Sequence, residues 1–254
     1  MKNKKRIKTL ISITVVLLIW TIVTKLELVS SYILPSPGKV LDSLIKMIKS
    51  GEVFEDIYIS FIRVLKGFSI ATIAAFILGM FRIIIPKATD YYETIVQFFK
   101  NVPPLSLVPL LILWFGIGET TKIAIIVLTS FFPIYLNTVK GFVSCDKKLT
   151  EVGEVYGYSK AESFFKIRLP YAMSDILVGM RIGLGYSWRA IISAEMIAAS
   201  TGLGHMILFA QQMSRTDKVI VGILVIGVVG YLTDRLFAFI IDKALKGSGN
   251  NGWN

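Results

Sequence analysis

The sequence predicts an all-α integral membrane protein with six transmembrane helices. Three observations predict it. Of the 254 residues, 54% are hydrophobic and the mean hydropathy is +0.67, well above a soluble domain of this length. Apolar stretches long enough to cross a bilayer recur along the chain. Lys and Arg gather in alternate connecting segments, as they do when one side of a membrane protein faces the cytoplasm.

The first span is the apolar run from about Leu10 to Val23, behind the basic start KNKKRIK. A basic start and an apolar core also describe a signal peptide, but the run is long for one and no small-x-small cleavage site follows. The segment LPSPGKVLDSLIKMIKSGEV comes next. Ser36 caps a helix that Pro37 opens, and Gly51 ends it. Val40, Leu41, Leu44, Ile45 and Ile48 recur there at helical spacing, which predicts an amphipathic surface helix too polar to span.

Four further spans follow at about Phe68 to Ile85, Tyr92 to Phe115, Ile123 to Phe142 and Ile176 to Ala199, and a last one at about Val219 to Ile241. The Tyr92–Phe115 run is interrupted by Pro103, Pro104 and Pro109. Each proline removes a backbone donor, and in lipid the freed carbonyls need new partners. Two readings stay open, a simple kink or a broken helix lining a polar path.

With the N-terminus in the cytoplasm, 17 of the 28 Lys and Arg fall inside and 9 outside, with Arg181 and Arg189 within the fifth span. Both termini are then cytoplasmic. The net charge of +11 reads as this asymmetry and not as a nucleic-acid surface. One cysteine, Cys145, excludes an internal disulfide framework and a Cys-based metal cluster. One histidine, His205, argues against a His-rich metal site or a His-based triad. A phosphate loop of the type GxxxxGK[ST] does not occur, since Gly38-Lys39 lacks the upstream glycine. The chain therefore has no ATP site of that kind.

Glu151 to Pro170, EVGEVYGYSKAESFFKIRLP, is a polar island in this apolar chain. Helix-forming residues lead to Gly157, which supplies the positive φ of a helix C-cap. Ser159 and Glu162 form a capping box for a second helix, and Pro170 is expected to close it. The result is two short helices joined by a sharp turn, or a plain loop with two amphipathic turns on the membrane surface.

Here the chain resembles a known family. Glu151, Gly157, Ile167, Leu169 and Pro170 have the spacing of the "EAA loop" of importer-type ABC transporter permeases. The family's two small residues after the Glu are Val152 and Gly153 here, a mild departure. ILPSPGKV, FFKNVPPLSLVPLLILWFGIGE and GMRIGLGYSWRAIISAEMIAASTGLG extend the likeness to the aliphatic sulfonate, taurine and nitrate permeases.

The resemblance implies a type I ABC importer permease (MetI-like) architecture. Its organisation is a tail and first span at 1–35, an extracytoplasmic amphipathic segment at 36–66, a core at 67–242 with a coupling loop at 146–170, and a cytoplasmic tail at 243–254. It implies a homodimer in a bacterial inner membrane, in contact with lipid. Two cytoplasmic ABC ATPase subunits would carry ATP and Mg, and an extracytoplasmic binding protein would deliver the solute. This chain would hold no cofactor or metal, bind no nucleic acid and catalyse no reaction. Glu151, Gly157, Ile167, Leu169 and Pro170 would contact the ATPase. The solute would be a small anion such as a sulfonate, taurine or nitrate; bicarbonate and thiamine-precursor systems share the subfamily. The rival classes are a gradient-driven secondary transporter, which predicts inverted repeats and acids within spans, and a non-transporting membrane scaffold.

Arg189 lies deep in the fifth span, where a charge costs at least about 2.5–3.5 kcal/mol. Its planar fork matches the oxygen pair of a carboxylate, sulfonate or nitrate. With Trp188, Ser193 and Glu195 it makes a candidate solute path; the other reading of Arg189 is a structural ion pair with another helix or snorkelling to an interface. Arg189 and Glu195, six residues apart, point to opposite sides of the helix and are not expected to pair. Gly179, Gly183 and Gly185 are expected to permit close helix approach.

Overall fold

In a computed structural model describing residues 2–246, the chain is all helical, with no strand among the described residues. Helix α1 (Lys2–Lys25) leads through Trp20, whose indole donates to the Pro35 carbonyl, to the short α2 (Pro37–Ser50). The expected caps of α2 are present. Ser36 accepts from the Lys39 amide, Pro37 stands in the first turn, and Gly51 takes φ 82° at the C-terminus. The buried face is rotated from the expected one. Val40, Ser43 and Met47 are buried, while Leu41, Ile45 and Ile48 stay exposed. The cause is a partner distant in sequence: the Ser43 hydroxyl donates to Asp217 at the start of the last helix.

Helix α3 (Glu52–Ile84) begins directly after Gly51, so it starts well before the apolar run at Phe68. The earlier half of the expected amphipathic segment is α2, and the later half is the N-terminal end of α3. Its 33 residues make a rod of about 50 Å, against a hydrocarbon core of about 30 Å. The first turns, with Glu52, Glu55 and Asp56, therefore extend beyond the apolar span.

A 3₁₀ turn (Pro86–Ala88) opens α4 (Thr89–Lys100), and a second (Pro104–Leu107) opens α5 (Val108–Phe115). The two helices meet at 90°. Pro103 lies in the break, and Pro104 and Pro109 occupy first-turn positions, where no amide is needed. The prolines thus make a break and not a mild kink. Helix α6 (Glu119–Val143) follows, then the cytoplasmic-loop candidates α7 (Lys147–Val155) and α8 (Lys160–Ser163). A π-turn (Phe164–Arg168) carries α8 into α9 (Leu169–Ala198); α10 (Leu203–Gln212) and α11 (Thr216–Lys246) complete the bundle. The tail beyond Lys246 lies outside the described residues.

Helices α3, α6 and α9 form the centre. Gly179 and Gly183 are the reason α9 lies so close to α6: a Cβ at Gly179 would stand 2.6 Å from Asn137 Cβ, and one at Gly183 2.7 Å from Ile134. Gly185 differs, because nothing lies within 4 Å of its would-be Cβ. It opens a groove instead of closing a contact.

Three helices are long and apolar enough to cross a membrane, α3, α6 and α11, and up to five spans result if each bent pair, α4–α5 and α8–α10, counts as one. The apolar part of α1, Leu10–Lys25, is shorter. The described residues thus give three to five spans where the hydropathy pattern predicts six.

Candidate functional site

Local chemistry builds the polar island as a turn followed by a long helix. Asp146 caps α7 through the Lys148 amide. The helix ends in a Schellman turn: Gly157 takes φ 76°, its amide donates to the Glu154 carbonyl at 2.9 Å, and the Tyr158 amide donates to the Gly153 carbonyl at 2.9 Å. The predicted capping box is present, with the Ser159 amide donating to Glu162 at 3.0 Å and the Glu162 amide to the Ser159 hydroxyl at 3.2 Å. The Ser159 amide, then Lys166 and the Ser159 hydroxyl, hold the Glu162 carboxyl down at about 2. Lys166 in turn lies 4.5 Å from the Tyr158 ring centroid.

Pro170 does not close a second short helix. It stands in the first turn of α9, and the chain runs on from Lys160 through the π-turn to Ala198. A first-turn proline needs no amide partner, and the π-turn accommodates it. The two-helix knob is therefore one short helix docked on the root of a long one. Gly153 is where they meet, against Ile167. Leu169 packs into the cluster of Phe142, Ala172 and Ile176. Glu151 and Gly157 are exposed, as are Val152, Tyr156, Phe165 and, at 88% exposure, Val155. An apolar patch bordered by Glu151 and Glu154 is thus presented outward, a surface of the kind that marks a protein contact.

The deep-span candidates divide between two faces of α9. Arg189 is exposed, its guanidinium 5.8 Å from the Tyr186 ring centroid. It lines a cleft of about 500 Å³ with Tyr186, Gly185, Ile182 and, from α11, Asp234 and Asp242. Arg181 in the same cleft makes a bidentate pair with Asp234 at 2.8 and 2.7 Å. Arg189 has no ion pair among the described residues. Ser193, half-buried and one turn on, shares its face by helical spacing.

Trp188 and Glu195 are not on that cleft. Trp188 is buried against α11, where its indole donates to the Ile226 carbonyl at 3.2 Å and packs on Gly230. Glu195 is wholly buried, 0% exposed, and pairs with Arg63 of α3 at 2.8 Å. The Arg63 fork also grips Glu119, at the start of α6, through Nε at 2.8 Å and Nη2 at 2.6 Å. Lys122 meets the same Glu119 at 2.6 Å. Two cations and two carboxylates thus balance in one cluster, in which Arg63, Lys122 and Glu195 are buried and Glu119 is 58% exposed. Sequence reasoning counted Arg63 only as an outside charge. The signal available was Asp56, Ser60 and Arg63 at i, i+4 and i+7, a polar face at the mouth of an apolar helix. His205 lies on α10 stacked over Phe209. No group of His, Cys, Asp and Glu among the described residues could hold a metal ion.

This bundle, with its docked turn, is that of a membrane-embedded transport subunit. The chain belongs to the family of binding-protein-dependent transport system inner membrane components, whose sequence profile matches residues 72–246. It is 36% identical over 239 residues to a putative aliphatic sulfonates transport permease protein of Bacillus subtilis (strain 168), covering 94% of this chain and 87% of that one. It is 32% identical over 228 residues to a taurine transport system permease protein of Escherichia coli (strain K12), covering 88% and 83%. It is 32% identical over 248 residues to a nitrate import permease protein of Synechocystis sp. (strain ATCC 27184 / PCC 6803 / Kazusa), covering 94% and 89%. Two solved structures share the fold. An amino acid ABC transporter matches with TM-score 0.63 at 12% identity, over 78% of this chain and 95% of that one. An inward-facing MetNI methionine ABC transporter matches with TM-score 0.61 at 16% identity, over 78% and 95%. The chain is accordingly a multi-pass inner-membrane permease of the ABC importer class, not an enzyme. ATP hydrolysis belongs to separate ATPase subunits, and a binding protein is its other family partner.

Proposed function

We propose that this permease imports a small anion of the sulfonate, taurine or nitrate kind, handed over by an extracytoplasmic binding protein. The observation that carries the reading is Arg189. It is a guanidinium fork without an ion pair among the described residues, set in a cleft along a helix that must lie in the membrane. An unpaired cation at that depth calls for a water-filled path or an anion, and its fork fits two oxygens at once. The names of the relatives, permeases for sulfonates, taurine and nitrate, support the same class.

The working unit in this reading is a homodimer, in which a second copy covers the α9–α11 cleft and encloses the path. Both termini face the cytoplasm. The apolar patch around Val155 seats in an ATPase subunit that holds ATP and Mg. Gly157 sets the turn, Ile167, Leu169 and Pro170 root it on α9, and Glu151 borders the contact.

The test is ATP-driven uptake into proteoliposomes containing the permease, its ATPase and its loaded binding protein, with taurine, ethanesulfonate and nitrate as probes. At least one anion should accumulate. Arg189→Gln should lower that uptake about tenfold or more at equal expression, the scale of one lost charge-assisted contact. Unchanged uptake in Arg189→Gln would sink the role of Arg189. Uptake of a neutral or cationic solute alone would sink the anion reading.

A further inference from the structure

The bend between α9 and α10 is held by residues far from it in sequence. Helix α10 has no side-chain cap of its own, only Gly202 at its N-cap. Its leading amides are taken from outside: Gly202 donates to Asp56 at 2.9 Å, Leu203 to the Ser60 hydroxyl at 3.0 Å, and Gly204 to Glu195 at 2.9 Å. Ser60 donates onward to Glu195 at 2.8 Å. Arg63 closes the arrangement, with Nη1 donating at 2.8 Å to both Glu195 and the Thr201 carbonyl. Ser60 is fully buried and the Arg63 side chain is 6% exposed. Buried hydrogen bonds of this kind are costly to break and leave little room for play.

The other break, between α4 and α5, is built differently. Its hydrogen bonds among the described residues stay within the segment: Asn101 to the carbonyls of Gln97 and Phe98, Val102 to Phe99, and Ser106 to Pro103. One bend is tied to α3 by its own buried hydrogen bonds. No hydrogen bond from residues 101–103 of the other reaches a neighbouring helix, and the ties flanking it are the Arg82–Glu93 pair between α3 and α4 and Thr121 of α6 donating to the Gly116 carbonyl.

We propose that Arg63 is a positioning residue for translocation: through Glu195 and Thr201 it clamps the 199–202 bend to α3, so that α3, the outer end of α9 and α10 move as one body. Motion driven from the cytoplasmic root of α9 then reaches the outer side as a rigid displacement, and relative movement is left to α4 and α5. This rests on the permease reading, because it assigns a part in the transport cycle.

The experiment uses the full complex in nanodiscs, with the buried Cys145 changed to Ala. Spin labels go on exposed Tyr58 and Phe209, and in a second sample on Tyr58 and exposed Leu113. Distances are read without nucleotide and after trapping with ATP and vanadate. The 58–209 distribution should be narrow and the same in both states, while 58–113 should shift. Movement of 58–209 by about one helical turn, ~5 Å, in the wild type would overturn the proposal. Arg63→Met/Glu195→Leu removes both charges and keeps packing, a change that is often neutral for stability. It should broaden 58–209 and lower maximal uptake about tenfold, with little change in the half-saturating concentration of loaded binding protein. Wild-type uptake in that variant would mean that the pair only fills space. If the double variant does not assemble, Ser60→Ala should show the same defect and Ser60→Thr should restore uptake; equal behaviour of the two overturns the proposal. A wild-type complex that imports none of the probe anions counts against the function reading, and the two distance pairs still decide this one.

Discussion

Gly153 and Ile167 close on each other so tightly that a Cβ on Gly153 would stand 2.6 Å from Ile167 Cδ1. This contact docks α7 onto the root of α9 and explains why a small residue is needed there. Its tolerance can be calculated in direction. Gly153→Ala gains about 0.5–1 kcal/mol of helix propensity, and the group it meets is the free end of a side chain that can turn. The two effects should nearly cancel, so Gly153→Ala should retain the ATPase on co-purification. Gly153→Leu cannot be accommodated by one rotamer change and should release it. Retention of the ATPase by Gly153→Leu would show that the packing of α7 on Ile167 is not what presents the docking patch.

Glu162 makes a prediction about pH. An unperturbed glutamate titrates near ~4.3, whereas the Ser159 amide, Lys166 and the Ser159 hydroxyl hold this carboxyl at about 2. The folded value lies below the unfolded one, so the cap contributes its full stabilisation above the ordinary glutamate range. That contribution is lost as pH falls through about 2. Carboxyl ¹³C shifts of the glutamate-labelled permease in nanodiscs, with Glu162→Gln for assignment, should show the Glu162 resonance still ionised at pH 3.5. Ser159→Ala should move that resonance back toward the ordinary range. A Glu162 signal that titrates with the exposed glutamates would mean that the capping box is open in the membrane.

The contrast between these local features and the buried cluster shows what a sequence makes legible. Ser36 with Pro37, Gly157, and Ser159 with Glu162 are read directly, because a cap is satisfied by residues within four positions of it. The apolar centre of each long helix is also legible from hydropathy. The start of α3 at Glu52 is not, because an apolar window sees the lipid-crossing part of a helix and not its polar extension. Pro170 misleads for a similar reason: a proline ending one helix and a proline in the first turn of the next look alike in sequence. The buried face of α2 and the destination of Glu195 depend on Asp217 and Arg63, partners 174 and 132 residues away. No local pattern encodes those pairings.

Arg181 and Asp234 make a two-point contact, yet their side chains are 46% and 45% exposed in the α9–α11 cleft. In a water-filled cleft such a pair is worth no more than about 1 kcal/mol. Asp234→Asn should therefore lower the thermal unfolding midpoint of the detergent-solubilised permease only slightly. If a second copy closes over the cleft and excludes water, the same change should be larger in the assembled complex, because an uncompensated buried arginine costs about 3–5 kcal/mol. The comparison of the two midpoints reads the hydration of the cleft. Equal, small losses in both settings would argue that the cleft stays open to water after assembly.

Gly202 offers the sharpest test of the buried cluster. Its φ is 105°, a region that side chains rarely adopt, and a Cβ there would stand 2.5 Å from the Glu195 carboxylate. The backbone cannot easily withdraw, because the amides of Gly202, Leu203 and Gly204 are held by Asp56, Ser60 and Glu195. Nor can Glu195 withdraw without giving up the Ser60 hydroxyl, the Gly204 amide and its bond from Arg63 Nη1, buried charge-assisted hydrogen bonds each worth about 1.5–3 kcal/mol. Gly202→Ala should therefore destabilise the protein by about 3 kcal/mol or more. Gly185 is the matched control: it lies within α9 with nothing inside 4 Å of its would-be Cβ. Gly185→Ala should hold or slightly raise stability, by about 0.5–1 kcal/mol from helix propensity. Midpoints of unfolding in mixed detergent, measured side by side, should separate the two variants clearly. A Gly202→Ala protein as stable as Gly185→Ala would show that the bend has room to relax, and with it that Arg63 and Glu195 do not hold the bend rigidly.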